Sequence, residues 1–379
     1  MHAMLDRGDG RAGQYVRTDR TNPVADLWRR CVEGVFGSRS SRRDIIRYGS
    51  AIAGGLVGAL AAPAIVRAQA GKKIGKPIVA GLNAKAGDPT YESIARIAAI
   101  LKEKFNIDAD IQVHPSSVLG TDLQQLEAVQ MGYIDITSNV TAQFSSFSDA
   151  FAFADLPYAI PSWDFFRHLV TSDLWKQQVA KFEAKLPLKV LPPVGAGGFR
   201  ILWNSKRAVP APAAVDGLKF RTTASPLEVE LIRNWGGNPT PMAFTETYNA
   251  LANGVVEGIH VQPIWTYNFR MQEVLKYGTE VKAIFAVQLQ VMNKSTWDGL
   301  GPDVQTAFAA AAQEAAQQAN AIDEASEQTY KGKLREAGMQ LYTPSGEEMA
   351  LWRKPGEAVW EGAGKSVDRD VVKAMLSLR

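Results

Sequence analysis

From residue 77 onward the apolar positions fall into two alternating patterns. Short continuous runs at Pro77–Leu82, Ala109–His114 and Tyr133–Thr137 have the length and content of buried strands. Between them apolar residues recur at helical spacing, at Ile94, Ile97, Ala98 and Leu101 and then, within Thr121–Met131, at Leu123, Leu126 and Val129. Asp88-Pro89 marks the first helix start, a capping side chain followed by proline at the first helical position. Strand, helix, strand, helix, strand predicts a parallel sheet with helical crossovers.

A glycine cluster, Gly195-Ala196-Gly197-Gly198, interrupts the apolar stretch Lys189–Trp203. Glycine inside a strand-like stretch permits bending or close approach, so the chain is expected to cross between domains here. A second α/β series follows: Leu218–Arg221, a helix over Pro226–Trp235, the turn Gly236-Gly237-Asn238, Pro239–Met242, a helix near Glu246–Ala252 and a strand at Val255–His260. Ala283–Met292 reads as the return crossing. From Pro302 to about Ala337 the chain is rich in the helix formers Ala, Gln, Glu and Lys. A helix of that extent is roughly 50 Å long, enough to lie across two domains. Phe308, Ile322 and Tyr330 give it faces to bury.

The first seventy residues follow a different rule. Ser41-Arg42-Arg43-Asp44-Ile45-Ile46 precedes an uncharged, Gly- and Ala-rich run from Tyr48 to Val66, which ends near Ala68-Gln69-Ala70. Basic region, apolar region and small-residue cleavage site are the layout of an export signal, and the paired arginines resemble a twin-arginine signal. Cleavage is expected after Ala70. An uncleaved membrane anchor is the alternative, since the run is long enough to span.

Removing the leader changes the charge. Residues 1–70 hold 11 of the 42 Lys and Arg and 6 of the 39 Asp and Glu, so the remaining 309 residues hold 31 against 33, a net charge of −2. The single cysteine, Cys31, leaves with the leader, which excludes disulfides, thiolate metal sites and a cysteine nucleophile from 71–379. No H-E-x-x-H, C-x-x-C or G-x-S-x-G is present, and the four histidines are scattered. Gly362-Ala363-Gly364-Lys365-Ser366 resembles the end of a phosphate loop, but Val359 stands where the leading glycine is needed. No basic run with interleaved aromatics is present in 71–379, so nucleic acid is not an expected partner. Neither a cofactor, a metal nor a catalytic residue is expected.

Two segments carry a resemblance. Gly217-Leu218-Lys219-Phe220-Arg221 and Asn238-Pro239-Thr240-Pro241-Met242-Ala243-Phe244 occur in order with Gly198-Phe199-Arg200, Tyr248-Asn249-Ala250-Leu251 and Val255-Val256-Glu257-Gly258. Together they resemble the solute-binding subunit of tripartite ATP-independent periplasmic (TRAP) transporters, over most of 77–340. The resemblance implies an α/β, two-domain periplasmic-binding-protein-like fold, with a ligand cleft between the domains, crossing strands and a long domain-spanning helix. Domain I is expected over 71–197 plus about 287–327, and domain II over 198–286 plus about 328–379. It further implies a periplasmic receptor, not an enzyme, that captures a small organic acid and passes it to membrane permease subunits driven by an ion gradient. A monomer is expected. An exported enzyme acting on an organic acid, or a sensor receptor, are the alternatives.

The arginine of the G-L-K-x-R segment pairs with a ligand carboxylate in that family, which designates Arg221. Guanidinium is planar, permanently charged and presents paired donors that match a carboxylate. Arg200 is the second candidate cation and Phe244 an apolar wall. Gln262-Pro263 stands where the family often has Asn-Pro, so Gln262 is a candidate amide contact. Trp203 and Trp265 are candidate pocket aromatics beside Tyr248 and Tyr267, with burial in the core as the other reading. Asn83 follows the first strand, where a β–α loop faces a cleft. Ala224 stands where some sialic-acid-binding members carry Asn, which disfavours sialic acid.

Overall fold

Two large β-sheets, with a small two-stranded one beside them, organise residues 72–379, the part of the chain that the computed structural model describes. The expected leader lies outside the described residues. The first series runs β1 (Lys72–Lys73), β2 (Ile78–Leu82), α1 (Pro89–Phe105), β3 (Ile107–Asp108), β4 (Ile111–His114), α2 (Asp122–Met131), β5 (Ile136–Val140), α3 (Trp163–Thr171), α4 (Asp173–Lys185) and β6 (Leu188–Val194). The second runs β7 (Ile201–Asn204), β8 (Lys219–Thr222), α5 (Pro226–Asn234), β9 (Asn238–Pro241), α6 (Thr247–Ala252), β10 (Gly258–Val261), α7 (Pro263–Asn268) and β11 (Tyr277–Thr279). The chain then returns through β12 (Gln288–Asn293), α8 (Lys294–Gly299) and α9 (Pro302–Glu336), and closes with β13 (Gln340–Tyr342), α10 (Gly346–Glu357) and α11 (Arg369–Leu376).

The first sheet has the order β4-β2-β5-β12-β6 and the second β13-β11-β7-β10-β8-β9. In the first, β2 pairs parallel with β4 and β5, as the βαβ pattern requires, and the returning β12 lies antiparallel between β5 and β6. In the second, β8 pairs parallel with β9 and β10. Each sheet therefore anchors one lobe of a mixed α/β fold with a cleft between the lobes.

Local chemistry sets the element ends. Thr121 and Gln124 form a capping box at the start of α2, with the Gln124 backbone N–H donating to the Thr121 hydroxyl and the Thr121 N–H to the Gln124 amide oxygen. Asp88 sits at the N-cap of α1 ahead of Pro89, as expected, but its carboxylate does not cap the helix. It accepts instead from the Lys85 backbone N–H at 2.9 Å and from the Asn268 side chain. The third strand begins later than Tyr133. The Tyr133 and Ile134 N–H groups both donate to Ala128 O and close α2, so pairing starts at Ile136 and Tyr133 is exposed. Likewise Val255 and Val256 donate to Ala250 O at the end of α6, which delays β10 to Gly258. Leu126 and Val129 of α2 are fully buried, but Leu123 points outward.

The two crossing segments pair with each other. Phe199 bridges Phe285 in antiparallel fashion, Arg200 N–H donates to Ile284 O at 3.0 Å and Ala286 N–H to Gly198 O at 3.0 Å. Gly195 has no room for a side chain, because a Cβ there would lie 2.4 Å from the Trp163 ring. Gly197 has φ +92° and a Cβ would meet Ile264 at 2.4 Å.

Helix α9 spans Pro302–Glu336, as its composition predicts, at roughly 50 Å. The first half of its buried face carries alanine at 307, 311, 312, 315, 316 and 319 around Phe308, and larger side chains follow from Asn320 on. It packs against α1 and β6 and, further on, against α7. Asn320 ties it to the crossing by accepting from Gly195 N–H at 2.8 Å. Lys331, buried, pairs with Glu280 at 2.7 Å and Glu327 at 2.8 Å. Helix α11 packs against α4. Among the described residues no helix is long and apolar enough to cross a membrane.

Candidate functional site

A small cavity of about 40 Å³ is lined from both sheets. The first lobe contributes Asn83 after β2, Asp122 at the start of α2, Gln143 and Gln288 at the start of β12. The second contributes Arg200, Arg221, Thr223, Phe244, His260, Gln262 and Trp265.

Arg221 occupies β8, in register with Ile259 of β10 and Thr240 of β9. Ligands of open α/β sheets bind at the carboxyl ends of such parallel strands. Its side chain is buried, and Nε and Nη2 both donate to Met242 O, at 3.2 and 3.0 Å. The guanidinium lies 5.6 Å from the centre of the Phe244 ring. Among the described residues, no carboxylate comes within ion-pair distance of it. Burial lowers its pKa, with the charges of Glu228 and Asp122 acting the other way. Arginine retains its proton under such shifts, so a fixed cation faces the cavity.

Arg200 is equally buried but already paired. Its Nη1 donates to Glu228 Oε1 at 2.9 Å, with both side chains about 5% exposed. Glu228 stands in the first turn of α5 and also accepts from the Thr223 backbone N–H at 3.0 Å and from the Thr223 hydroxyl. Its pKa is lowered: burial pushes it up, but the Arg200 and Arg221 charges and the Thr223 donors outweigh that. Nearby, burial pushes the Asp155 carboxyl up to about 7, although Thr141 donates to it at 2.7 Å. Burial, aided by the Arg200 charge, pushes His260 down to about 3, so its ring is neutral.

Gln262 and Trp265 border the cavity, but their side-chain donors turn away to one acceptor. Gln262 Nε2 and Trp265 Nε1 reach Ala196 O at 2.9 and 3.0 Å, so the pocket wall is tied to the crossing segment. Phe244 is half-buried, with its ring edge-on to Trp265 at 5.4 Å. Trp203 is placed elsewhere. It is fully buried under Gly278, donates to Val261 O at 2.9 Å and does not line the cavity. The structure thus brings Asn83, Arg200, Arg221, Phe244, Gln262 and Trp265 together and leaves Trp203 in the core.

Asp122, Gln143, Thr223, Glu228 and Gln288 escaped the sequence reading. Asp122 is buried, and accepts from Asn83 Nδ2 at 3.0 Å and from Gln143 Nε2 at 3.1 Å. Burial raises its pKa, and the Arg221 charge opposes that rise. The capping pattern Thr121-x-x-Gln124 marks where α2 begins, and was the available signal that Asp122 faces the sheet ends. No comparable signal pointed to Gln288.

Two α/β lobes joined by paired crossings and a shared helix, with a buried cation in the cleft between them, define the class of bilobal solute receptors. Residues 80–366 match the family model described as bacterial extracellular solute-binding protein, family 7 (DctP), and the chain belongs to that family. The C4-dicarboxylate-binding periplasmic protein DctP of Rhodobacter capsulatus is 26% identical over 328 residues, covering 86% of this chain and 97% of its own. The 2,3-diketo-L-gulonate-binding periplasmic protein YiaO of Escherichia coli is 26% identical over 265 residues, covering 69% and 80%. Among solved structures, a TRAP periplasmic solute binding protein from Sulfurospirillum deleyianum with bound succinate matches with a TM-score of 0.75 at 22% identity, covering 82% of this chain and 100% of its own. Another, from Citrobacter koseri with bound D-glucuronate, matches with a TM-score of 0.75 at 23% identity, covering 80% and 100%. These structural likenesses establish the fold.

Proposed function

We propose that this protein is a periplasmic receptor that holds a small organic acid by its carboxylate on Arg221 and delivers it to the permease of an ion-gradient-driven TRAP transporter. The observation that carries the reading is a fully buried guanidinium, in a cavity lined by both lobes, with no carboxylate partner among the described residues. A buried cation gains from an anion that completes its charge and its hydrogen bonds. Relatives named for C4-dicarboxylate and diketogulonate binding, and neighbours holding succinate and glucuronate, support an acid as the ligand class. Capture without turnover belongs to the same reading, as do export by a twin-arginine-type leader removed after Ala70 and a monomeric state. We assign the moving bodies to 71–197 with about 287–327, and to 198–286 with about 328–379.

The test is a thermal-shift screen of residues 71–379 against carboxylic acids, after unfolding and refolding to strip any carried ligand. At 100 times its dissociation constant, a ligand adds about 2.7 kcal/mol of stability. Arg221→Ala should abolish the shift. Arg221→Lys should retain only a fraction, because an ammonium lacks the planar paired donors. Wild-type binding by both variants would overturn the assignment.

A further inference from the structure

The cavity is chemically one-sided. The second lobe presents a donor, since Arg221 Nη1 makes no hydrogen bond among the described residues. The first lobe presents acceptors. Among the described residues Asp122 receives only two neutral amide donors, from Asn83 and Gln143, and a carboxylate has capacity for about four. Gln288 is fully buried at the cavity, and its Oε1 has no hydrogen-bond partner among the described residues.

The orientation of this amide follows from its neighbours. Gln288 Nε2 donates to the Ser138 backbone carbonyl at 3.1 Å and to Asn83 Oδ1 at 3.2 Å, both of which can only accept. Asn83 in turn must direct its Nδ2 at the Asp122 carboxylate. The chain of donors therefore runs one way, from Gln288 through Asn83 to Asp122, and Gln288 Oε1 is left as an acceptor awaiting a donor.

Resting on the reading of Arg221 as the carboxylate anchor, we infer that Asp122 and Gln288 make this receptor selective for hydroxy acids. The ligand's carboxylate sits on Arg221 and its hydroxyl donates to the acceptors opposite. A second carboxylate in that position would meet an acceptor, Gln288 Oε1, and a like charge, Asp122. An ammonium group is the weaker fit. It needs several acceptors, and the amide NH₂ groups of Asn83 and Gln143 already crowd Asp122 with donors.

The experiment is calorimetric titration with matched probes: lactate and propionate, 3-hydroxybutyrate and butyrate, gluconate and hexanoate, together with succinate and alanine. Wild type is expected to bind at least one hydroxy acid about tenfold or more tightly than its deoxy partner and than succinate, as for a hydrogen bond to a charged group. Asp122→Asn is expected to shift the hydroxy-acid to succinate ratio about tenfold towards succinate. Equal binding of the deoxy acids or succinate by wild type overturns the inference, and so does an unchanged ratio in Asp122→Asn. Either result, with all binding lost in Arg221→Ala, leaves the carboxylate anchor standing. Preferred binding of alanine replaces the hydroxyl with an ammonium and overturns the inference also. If no acid binds, or Arg221→Ala binds them all, the anchor falls and selectivity with it. The wild-type ratios decide the question even if the Asp122 variant does not fold.

Discussion

Arg200 and Arg221 line the same cavity, yet the structure gives them different work, and replacing Arg200 by methionine separates the two. Arg200 is bound to Glu228 at 2.9 Å, with the two side chains 6% and 5% exposed. Removing the guanidinium leaves the Glu228 carboxylate buried, with only the Thr223 donors, and breaking such a pair costs about 3–5 kcal/mol. For a chain of this size the unfolding entropy is about 0.65 kcal/mol/K, so each kcal/mol moves the melting temperature by about 1.5 °C and the ligand-free variant should melt about 5–8 °C lower at pH 7. Removing both charges in Arg200→Met with Glu228→Met should recover part of that loss, because neither member of the pair is left unpaired, although buried Arg221 loses the favourable Glu228 charge. The pH dependence follows from the lowered pKa of Glu228 in the folded state. Its stabilising contribution is complete above the unfolded carboxyl pKa, and is lost as pH falls through the lowered folded value. The penalty of Arg200→Met should therefore shrink in acid, where Glu228 is protonated. Differential scanning calorimetry without ligand, from pH 4 to pH 8, reads both effects. A variant that melts like wild type but loses its acid ligand would refute the reasoning, and would make Arg200 a ligand contact instead of a strut.

Asp155 should act in the opposite pH direction. Its folded pKa is pushed up to about 7 from 3.8, so the folded state holds a proton that the unfolded state releases, and wild-type stability is drained as pH rises across that window. The stability of Asp155→Asn relative to wild type should climb between pH 4 and pH 7, by up to about 4 kcal/mol, and a flat difference would refute the assignment. Gly195→Ala places a methyl 2.4 Å from the packed Trp163 ring at the crossing. It should cost about 1–3 kcal/mol in denaturant unfolding, and wild-type stability would mean that the crossing can shift. Thr121→Ala removes the cap of α2 and should cost about 1 kcal/mol. It should also weaken acid binding by displacing Asp122, and unchanged affinity would show that Asp122 does not depend on the cap.

The α/β series, the glycine-marked crossing and the long helix were legible because each rests on local chemistry: apolar period, backbone freedom and helix propensity. Strand starts were less legible. At Tyr133 and Val255 the apolar pattern continues, but the backbone N–H groups are spent on closing the preceding helix, and pattern alone carries no record of that. Within the site, Arg221, Arg200 and Phe244 came from contiguous motifs. The acceptors opposite them did not. Asp122 and Gln288 are far apart in the chain, and meet only because β12 returns next to β5 and α2 packs beneath that pair. Trp203 shows the converse error. Proximity to the motif in sequence placed it in the pocket, but its ring lies against Gly278 of the neighbouring β11, on the side of β7 away from Arg221.

The alanine stretch of α9 bears on how closely the helix seats against the first lobe. Alanine has no side-chain rotamers to lose on burial, so a contact built from its methyl groups costs little conformational entropy. A face of leucines would hold the helix axis farther from its neighbours. The far half of the same helix is gripped through Lys331 by Glu280, in the segment after β11. One end of α9 is therefore held to the second lobe by a buried ion pair, and the other lies close against α1 and β6 of the first, so one rigid rod is shared by both lobes.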